Sequence, residues 1–343
     1  MQNPFRTIAR AQKLVRTGRP FAAATALHTL LAPPPAKPRA APKRRTKPPL
    51  PARPAPGTFV QGRHTSAQGE MIYKLYTPVG SNRRKLPLVV MLHGCGQSAD
   101  DFAAGTAMNR LADEYGFLVL YPEQSRQANF GRCWNWHRPG DQVRSGEPKT
   151  IAALTRDIAV ICHAHPGRIY IAGISAGGAA AAITAAAYPE LFVAVGVHSG
   201  VARGDITTLT GALGAMRSGN GGGTGKARTP PPTIVFHGDR DKIVHPANAA
   251  GFLGHLRRST TKPLVSRVSH GRSAGGRDYT CTVHAHADDA VVLEDWVIHG
   301  SGHAWSGGSV AGSHTDPAGP DASREMIRFF LARRRPTAPK HAA

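Results

Sequence analysis

The 343-residue chain is 41% hydrophobic, enough to bury one large core or two small ones, and carries a formal charge of +22. Residues 1–57 hold 12 Lys/Arg and no Asp/Glu, against 31 Lys/Arg and 21 Asp/Glu in the remainder, so more than half of the excess sits on a basic arm. No zinc-finger spacing or RNA-recognition signature accompanies that charge, no run approaches the ~18 apolar residues of a membrane span, and four cysteines are too few for a disulfide scaffold, which argues against specific nucleic-acid binding, a spanning helix and a cystine-stapled mini-domain.

In chain order, residues 1–32 read as a basic helical arm and residues 33–57, with ten prolines, as a stiff extended linker. Such an arm is expected to contact anionic surfaces loosely. Arg16 and Arg19 followed by "FAAATALHTLLA" have the outline of a secretory signal, but His28 interrupts a weak apolar run. From residue 58 to about 335, strand-length apolar runs alternate with helical patterns. "MIYKLYTPV" (71–79) reads as an antiparallel edge strand and "LPLVVMLHG" (86–94) as a strand buried on both faces. A helix is expected over 98–116, a strand over 117–122, a helix near 150–165 and a strand over 168–174. Then come helix 176–188, strands 191–198 and 233–237, and a helix near 246–258. Strands at 264–269, 279–285 and 291–298 precede a last helix at 321–333. The stretch 203–230 is too poor in apolar residues to pack and reads as a flexible Gly-rich insertion; residues 336–343 read as a disordered tail. Strands separated by helices imply right-handed crossovers, a mostly parallel central sheet with helices on both faces, and functional loops at the carboxyl ends of the strands.

Gly173-Ile174-Ser175-Ala176-Gly177 forms a G-x-S-x-G sequence between an expected strand and an expected helix. A serine hydroxyl is a weak nucleophile until a base takes its proton, so it must protrude on a sharp turn, and only small flanking residues tolerate the crowding there. The helix start leaves the Ala176 N–H free to face a developing oxyanion. Downstream, "TIVFHGDRDKIVHP" (233–246) offers Asp241 as the acid, with Asp239 as the fallback. "VVLEDWVIHGSGHAWSGG" (291–308) offers His303 as the base, with His299 nearer the strand end. Serine, acid, histidine is the order of α/β-hydrolases. "MLHGCGQS" (91–98) follows an early buried strand, where the second oxyanion donor is expected: the backbone N–H of Cys95. His93 shapes that loop.

Together "LHGCGQSADDFA", "CWNW" (133–136), "GISAGG", "VFHGDRDKIVHP" and "GHAWSGG" resemble the esterases of the poly(3-hydroxybutyrate) depolymerase family over about residues 58–333. The resemblance implies an α/β-hydrolase with Ser175 as nucleophile, Asp241 as acid, His303 as base, and the N–H groups of Cys95 and Ala176 as the oxyanion hole. It implies a serine carboxylic-ester hydrolase acting through an acyl-enzyme on short-chain hydroxyalkanoate esters or oligomers, without a cofactor or metal. Feruloyl or acetyl-xylan type esters are the alternative. Cys133 opens a loop expected at the same sheet edge as Cys95, and a Cys95–Cys133 disulfide follows, as the resemblance also suggests. Such a bond favours an extracellular or periplasmic location over the cytoplasm. Trp134 and Trp305, beside the catalytic loops, are candidates for the substrate cleft, with Trp136 inside.

Two other readings compete. "VHAHADD" (283–289) sets His284, His286 and Asp288 at alternate strand positions, a spacing suited to a metal ion. A non-catalytic module binding a polyester or polysaccharide surface is the other, and an intact serine, acid and base argue against it.

Overall fold

The computed structural model describes residues 57–66, 69–80, 85–202, 208–219 and 229–336. The expected arm, and all but one residue each of the expected linker and C-terminal tail, lie outside them. Ten strands form one sheet in the order β1-β2-β4-β3-β5-β6-β7-β10-β9-β8. These are β1 Thr58–Ser66, β2 Gly69–Thr77, β3 Leu88–Leu92, β4 Leu118–Glu123, β5 Ile169–Ile174, β6 Ala194–His198, β7 Thr233–Gly238, β8 Val265–Arg272, β9 Asp278–Ala285 and β10 Val291–Ile298. The middle, from β4 through β3, β5, β6 and β7 to β10, is parallel. Both flanks are antiparallel.

The apolar runs read from the sequence are these central strands. Leu88, Val90 and Leu92 face one core while Val89 and Met91 face the other, so a continuous apolar run is what a two-sided strand requires. Helices α3 Gly146–Ile161, α4 Ala176–Ala187 and α6 Ala250–Ser259 contribute to the first core. Helices α1 Ala99–Thr106, α2 Met108–Tyr115 and α7 Ala322–Leu331 contribute to the second.

Three local expectations change. β2 is not an edge strand, because β1 pairs outside it from Thr58↔Thr77 to Ser66↔Gly69. β1 (TFVQGRHTS) escaped notice because only two of its nine residues are large and apolar; its partner strand, not its own pattern, makes it a strand. The helix expected over 98–116 breaks at Ala107, whose φ of 50° is left-handed, giving α1 and α2. Tertiary contact holds the break: the Ser323 hydroxyl of α7 donates to the Thr106 carbonyl (2.7 Å). Within the stretch read as an unpacked insertion, α5 Leu209–Ser218 is a helix capped by Thr208, with Ala212 and Ala215 in the core.

The strand-to-helix turn between β5 and α4 sets the position of the site. Every residue of α4 is buried, and its alanines let it lie flat on the sheet. A Cβ added at Gly177 would stand 2.2 Å from the Leu92 carbonyl oxygen and 2.4 Å from that of His93. Gly214 of α5, by contrast, has nothing within 4 Å of an added Cβ. Gly177→Ala is therefore expected to destabilise by about 3 kcal/mol or more, through forced separation of α4 from β3. Gly214→Ala should stabilise by about 0.5–1 kcal/mol. Urea unfolding of the two variants checks the pair.

Candidate active site

Ser175 ends β5 and begins α4 with φ 57° and ψ −123°, a conformation neither helical nor extended. Its N–H donates to the His198 carbonyl at the end of β6 (2.9 Å), which fixes the turn. Two other loops leave the carboxyl ends of neighbouring strands. The β7 loop carries Asp241 and the β10 loop carries His303, and the two are laced by backbone bonds from Asp239 N–H to Ile298 O (3.1 Å) and Arg240 N–H to Ser301 O (3.0 Å).

Asp241 and His303 meet across that lacing. His303 Nδ1 lies 2.7 Å from Asp241 Oδ2. The other oxygen, Oδ1, accepts the N–H groups of Ile243 and Val244, each at 2.9 Å. Burial acts to raise the Asp241 pKa, but hydrogen bonds from His237 and His303 and from the Val244 N–H outweigh it and hold the carboxyl well below the usual range. The carboxylate thus stays ionised and is placed to accept a proton held on His303 Nδ1. The stabilisation from this ionisation is complete above the unfolded carboxylate pKa and is lost only as pH falls toward the depressed folded value.

Asp239 and His299, the alternatives in the sequence, pair with each other instead. Their ion pair is 3.0 Å long and lies in solvent, with side chains 38% and 44% exposed. His299 Nε2 meets the Thr280 hydroxyl (2.9 Å), so this pair closes a surface turn.

At the end of β3 the loop expected to carry an oxyanion donor leaves the Cys95 N–H to spare. Gly94 N–H donates to Gln97 Oε1 (2.9 Å), Gly96 N–H to Gly131 O (2.9 Å) and Gln97 N–H to Gly94 O (3.2 Å). Among the described residues, the N–H groups of Cys95 and Ala176 have no protein acceptor. The Cys95 loop is also covalently held: Cys95 and Cys133 form a disulfide across 38 residues. Cys162 and Cys281 are buried outside it.

Two tryptophan expectations are corrected. Trp134 and Trp305 are each 1% exposed, so neither lines an open cleft. Their indole N–H groups are satisfied internally, by His93 O (3.0 Å) and Ser323 Oγ (3.0 Å). A ring that size beside a glycine-rich loop is needed to fill the space beneath it. Trp136 is buried as expected. The metal reading of "VHAHADD" also fails: β9 ends at Ala285, and His286 to Ala290 form a turn, so the three side chains do not share a strand face. His284 is instead bonded to the Ser266 hydroxyl (2.7 Å).

Two histidines passed over in the sequence hold the site together. His198 stacks between Phe236 and Trp305, and its Nε2 accepts the Ser306 N–H (3.0 Å), anchoring the chain three residues beyond His303. Burial first, then repulsion from His237 and His303, pushes its pKa down to about 3, so it remains a neutral acceptor. His237 donates through Nε2 to Val244 O (2.8 Å) and stands 3.5 Å from Asp241 Oδ2. The only sequence cue was that each ends an apolar strand, where a polar side chain must find a partner.

A ten-stranded, mostly parallel sheet with helices on both faces, a serine on a sharp strand–helix turn, and acid and histidine loops at its carboxyl edge define the α/β-hydrolase class. The acetyl xylan esterase from Aspergillus awamori has the same fold, with a TM-score of 0.60 at 19% identity over 79% of this chain and 99% of that one. More than half of the chain, residues 71–260, matches the family model described as esterase PHB depolymerase, and the chain belongs to that family. It is 30% identical over 230 residues to poly(3-hydroxyalkanoate) depolymerase C of Paucimonas lemoignei, covering 63% of this chain and 54% of the relative. It is 29% identical over 199 residues to feruloyl esterase B of Neurospora crassa, covering 50% and 65%. The chain thus spans between half and two thirds of the length of these two relatives.

On a nitrophenyl ester, Asp241→Asn should lower kcat by about 10⁴ and His303→Ala by on the order of 10⁶. Asp239→Asn and His299→Ala should stay within about ten-fold of the parent, because an exposed pair contributes little. Reversal of either pair in steady-state kinetics would show that the roles belong to the other residues. Replacing both Cys95 and Cys133 with serine should cost about 3–4 kcal/mol of stability by chain entropy, read from denaturant melts.

Proposed function

We propose that the protein is a serine carboxylic-ester hydrolase working through an acyl-enzyme, with Ser175 as nucleophile, His303 as base, Asp241 as acid, and the Cys95 and Ala176 N–H groups as oxyanion hole. The observation that carries this is the 2.7 Å Asp241–His303 pair, held by loops from the same sheet edge as the Ser175 turn. His303 Nε2 takes the Ser175 proton as Oγ bonds to the ester carbon, and the carbonyl oxygen becomes an oxyanion facing the two N–H groups. The tetrahedral adduct collapses, the C–O bond to the alcohol breaks, and His303 returns the proton to that alcohol. Water then repeats the sequence on the acyl-enzyme, with His303 taking its proton and giving it to Ser175, and the carboxylic acid leaves.

The substrate class we propose is a short-chain hydroxyalkanoate ester or oligomer, in line with the relative from Paucimonas lemoignei. With both indoles in the core, Phe130 and Val310, on the loops bearing Cys133 and following His303, are the exposed large apolar side chains of those loops. Feruloyl or acetylated polysaccharide esters are the second reading, favoured by the likeness to feruloyl esterase B. The Cys95–Cys133 bond supports a periplasmic or extracellular site of action. Among the described residues no helix is long and apolar enough to cross a membrane. We assign residues 58–335 to one catalytic unit, with the basic arm as an anionic-surface contact.

Ser175→Ala should lower kcat on the order of 10⁶ with the fold intact, and a fluorophosphonate should label Ser175 alone. More than about a tenth of the parent activity in that variant, under ~1.4 kcal/mol of barrier, rules the assignment out. A panel of hydroxybutyrate oligomers, feruloyl esters and acetylated xylan then ranks the two substrate readings by kcat/KM.

A further inference from the structure

Behind the oxyanion loop, in the first turn of α3, stands a carboxylate that the chemistry above does not use. Glu147 Oε1 accepts Nε2 of Gln124 (2.5 Å) and Nδ2 of Asn135 (2.6 Å), and Oε2 accepts the Asn135 N–H (2.8 Å). Its own N–H is taken by Asp141 Oδ1 (2.6 Å). Every group aimed at the carboxylate is a donor.

Three routes run from those donors to Cys95. Gln124 N–H donates to His93 Nε2 (3.0 Å), and His93 Nδ1–H donates to the Gly94 carbonyl (2.8 Å), on the residue before Cys95. Asn135 Oδ1 accepts from Asn129 (3.0 Å), Asn129 Oδ1 accepts the Gly131 N–H (2.9 Å), and Gly131 O accepts the Gly96 N–H (2.9 Å), on the residue after it. Gln124 Nε2 also donates to Cys133 O (3.2 Å), and Cys133 is bonded to Cys95 itself. The residue with the spare N–H is thus gripped before, after and through its sulfur by groups that end on one carboxylate.

Ionising that carboxylate costs stability. Burial, and then repulsion from Asp141, raises its pKa to about 7 against the pull of its Asn135 and Gln124 hydrogen bonds. A carboxyl raised in the folded state makes the fold less stable as pH rises from the unfolded value through the folded one.

We propose that Glu147 is a positioning residue for the oxyanion hole, holding the Cys95 N–H in place through Gln124, Asn135 and the disulfide, and that its ionised form performs this role. The proposal rests on the serine-esterase reading. Protonation puts a hydrogen on an oxygen already faced by a donor, so one arm of the grip opens as pH falls through neutrality. Of the other charged or titratable groups around it, Asp141 acts on Glu147 directly, repelling it while burial raises its own carboxyl. Asp141 and Arg138 lie in the turn before α3, and the Glu123–Arg132 pair (3.3 Å) lies at the end of β4. His93, at the end of β3, is kept neutral by burial. α4 presents no ionisable side chain, and β1 sets His64 against Asp157 (3.5 Å) at the far end of α3.

The test measures kcat and KM of the full-length protein on a nitrophenyl ester across about two pH units either side of neutrality. Glu147→Gln, whose NH₂ must oppose one of the donors, should lower kcat at alkaline pH by at least about ten-fold, with KM within about two-fold. The ratio of parent to variant kcat should shrink as pH falls through about 7, since the protonated parent then resembles glutamine. A pH-independent ratio, or a kcat within about two-fold of the parent, overturns the proposal. Should Glu147→Gln fail to fold, Gln124→Met cuts two of the links and is expected to show the same kcat-only defect; parent-like kcat there overturns it equally. Ser175→Ala run alongside separates the failures. If it retains activity the esterase reading falls and this proposal with it, whereas an inactive Ser175→Ala beside a parent-like Glu147→Gln removes the positioning role alone.

Discussion

The close approach of α4 to the end of β3 is the contact on which the rest of the site depends. Gly177 lies against the carbonyl oxygens of Leu92 and His93, where an added Cβ would come within 2.2 and 2.4 Å. The same His93 carbonyl accepts the Trp134 indole, so the contact is packed from beneath as well. Because α4 can sit this close, its first turn and the loop after β3 become neighbours, and the spare N–H groups of Ala176 and Cys95 come from adjoining elements. The positive φ of Ser175 is the backbone cost of turning that sharply, and the bond to the His198 carbonyl offsets part of it.

Around this turn the protein uses imidazoles as fixed connectors. His93 and His198 are buried and kept neutral by desolvation, and each accepts a backbone N–H through Nε2. His237 presents an N–H to the Val244 carbonyl beside Asp241. A Lys or Arg in these places would add an unpaired buried charge, and an apolar residue would leave a loop amide without an acceptor. Asp241, 2.7 Å away, is the anion bonded to His303, and the imidazoles of His93 and His198 add no charge beside it. That arrangement is preorganised: none of these groups has to reorient when charge develops on a substrate.

The parts so constrained are those common to the class, whereas the substrate is selected by loops. Relatives at 30% and 29% identity carry the names of a hydroxyalkanoate depolymerase and a feruloyl esterase. Both are compatible with one sheet edge, because the attacked carbonyl is the same and only the flanking groups differ. In this chain the loops at that edge hold their tryptophans inward and expose Phe130 and Val310.

The sequence alone determined the order of the central strands along the chain, the turn at Ser175, and the loops bearing Asp241 and His303. These are local signals: apolar runs of strand length, a glycine-flanked serine between strand and helix, and acid and histidine just past strand ends. It also pointed to the Cys95–Cys133 bond, through two loops expected at one edge and a family resemblance. Tertiary structure alone decided that β1 is a strand, since its pattern is polar and its partner is β2. It decided that a single helical pattern splits at Ala107, where contact with α7 outweighs propensity. It paired Asp241 with His303 and Asp239 with His299, because two aspartates two residues apart on a turn point in different directions. And it sent Trp134 and Trp305 into the core, and gathered Glu147, Asn135 and Gln124 behind Cys95, because burial and hydrogen-bond partners are supplied by residues far away in the chain.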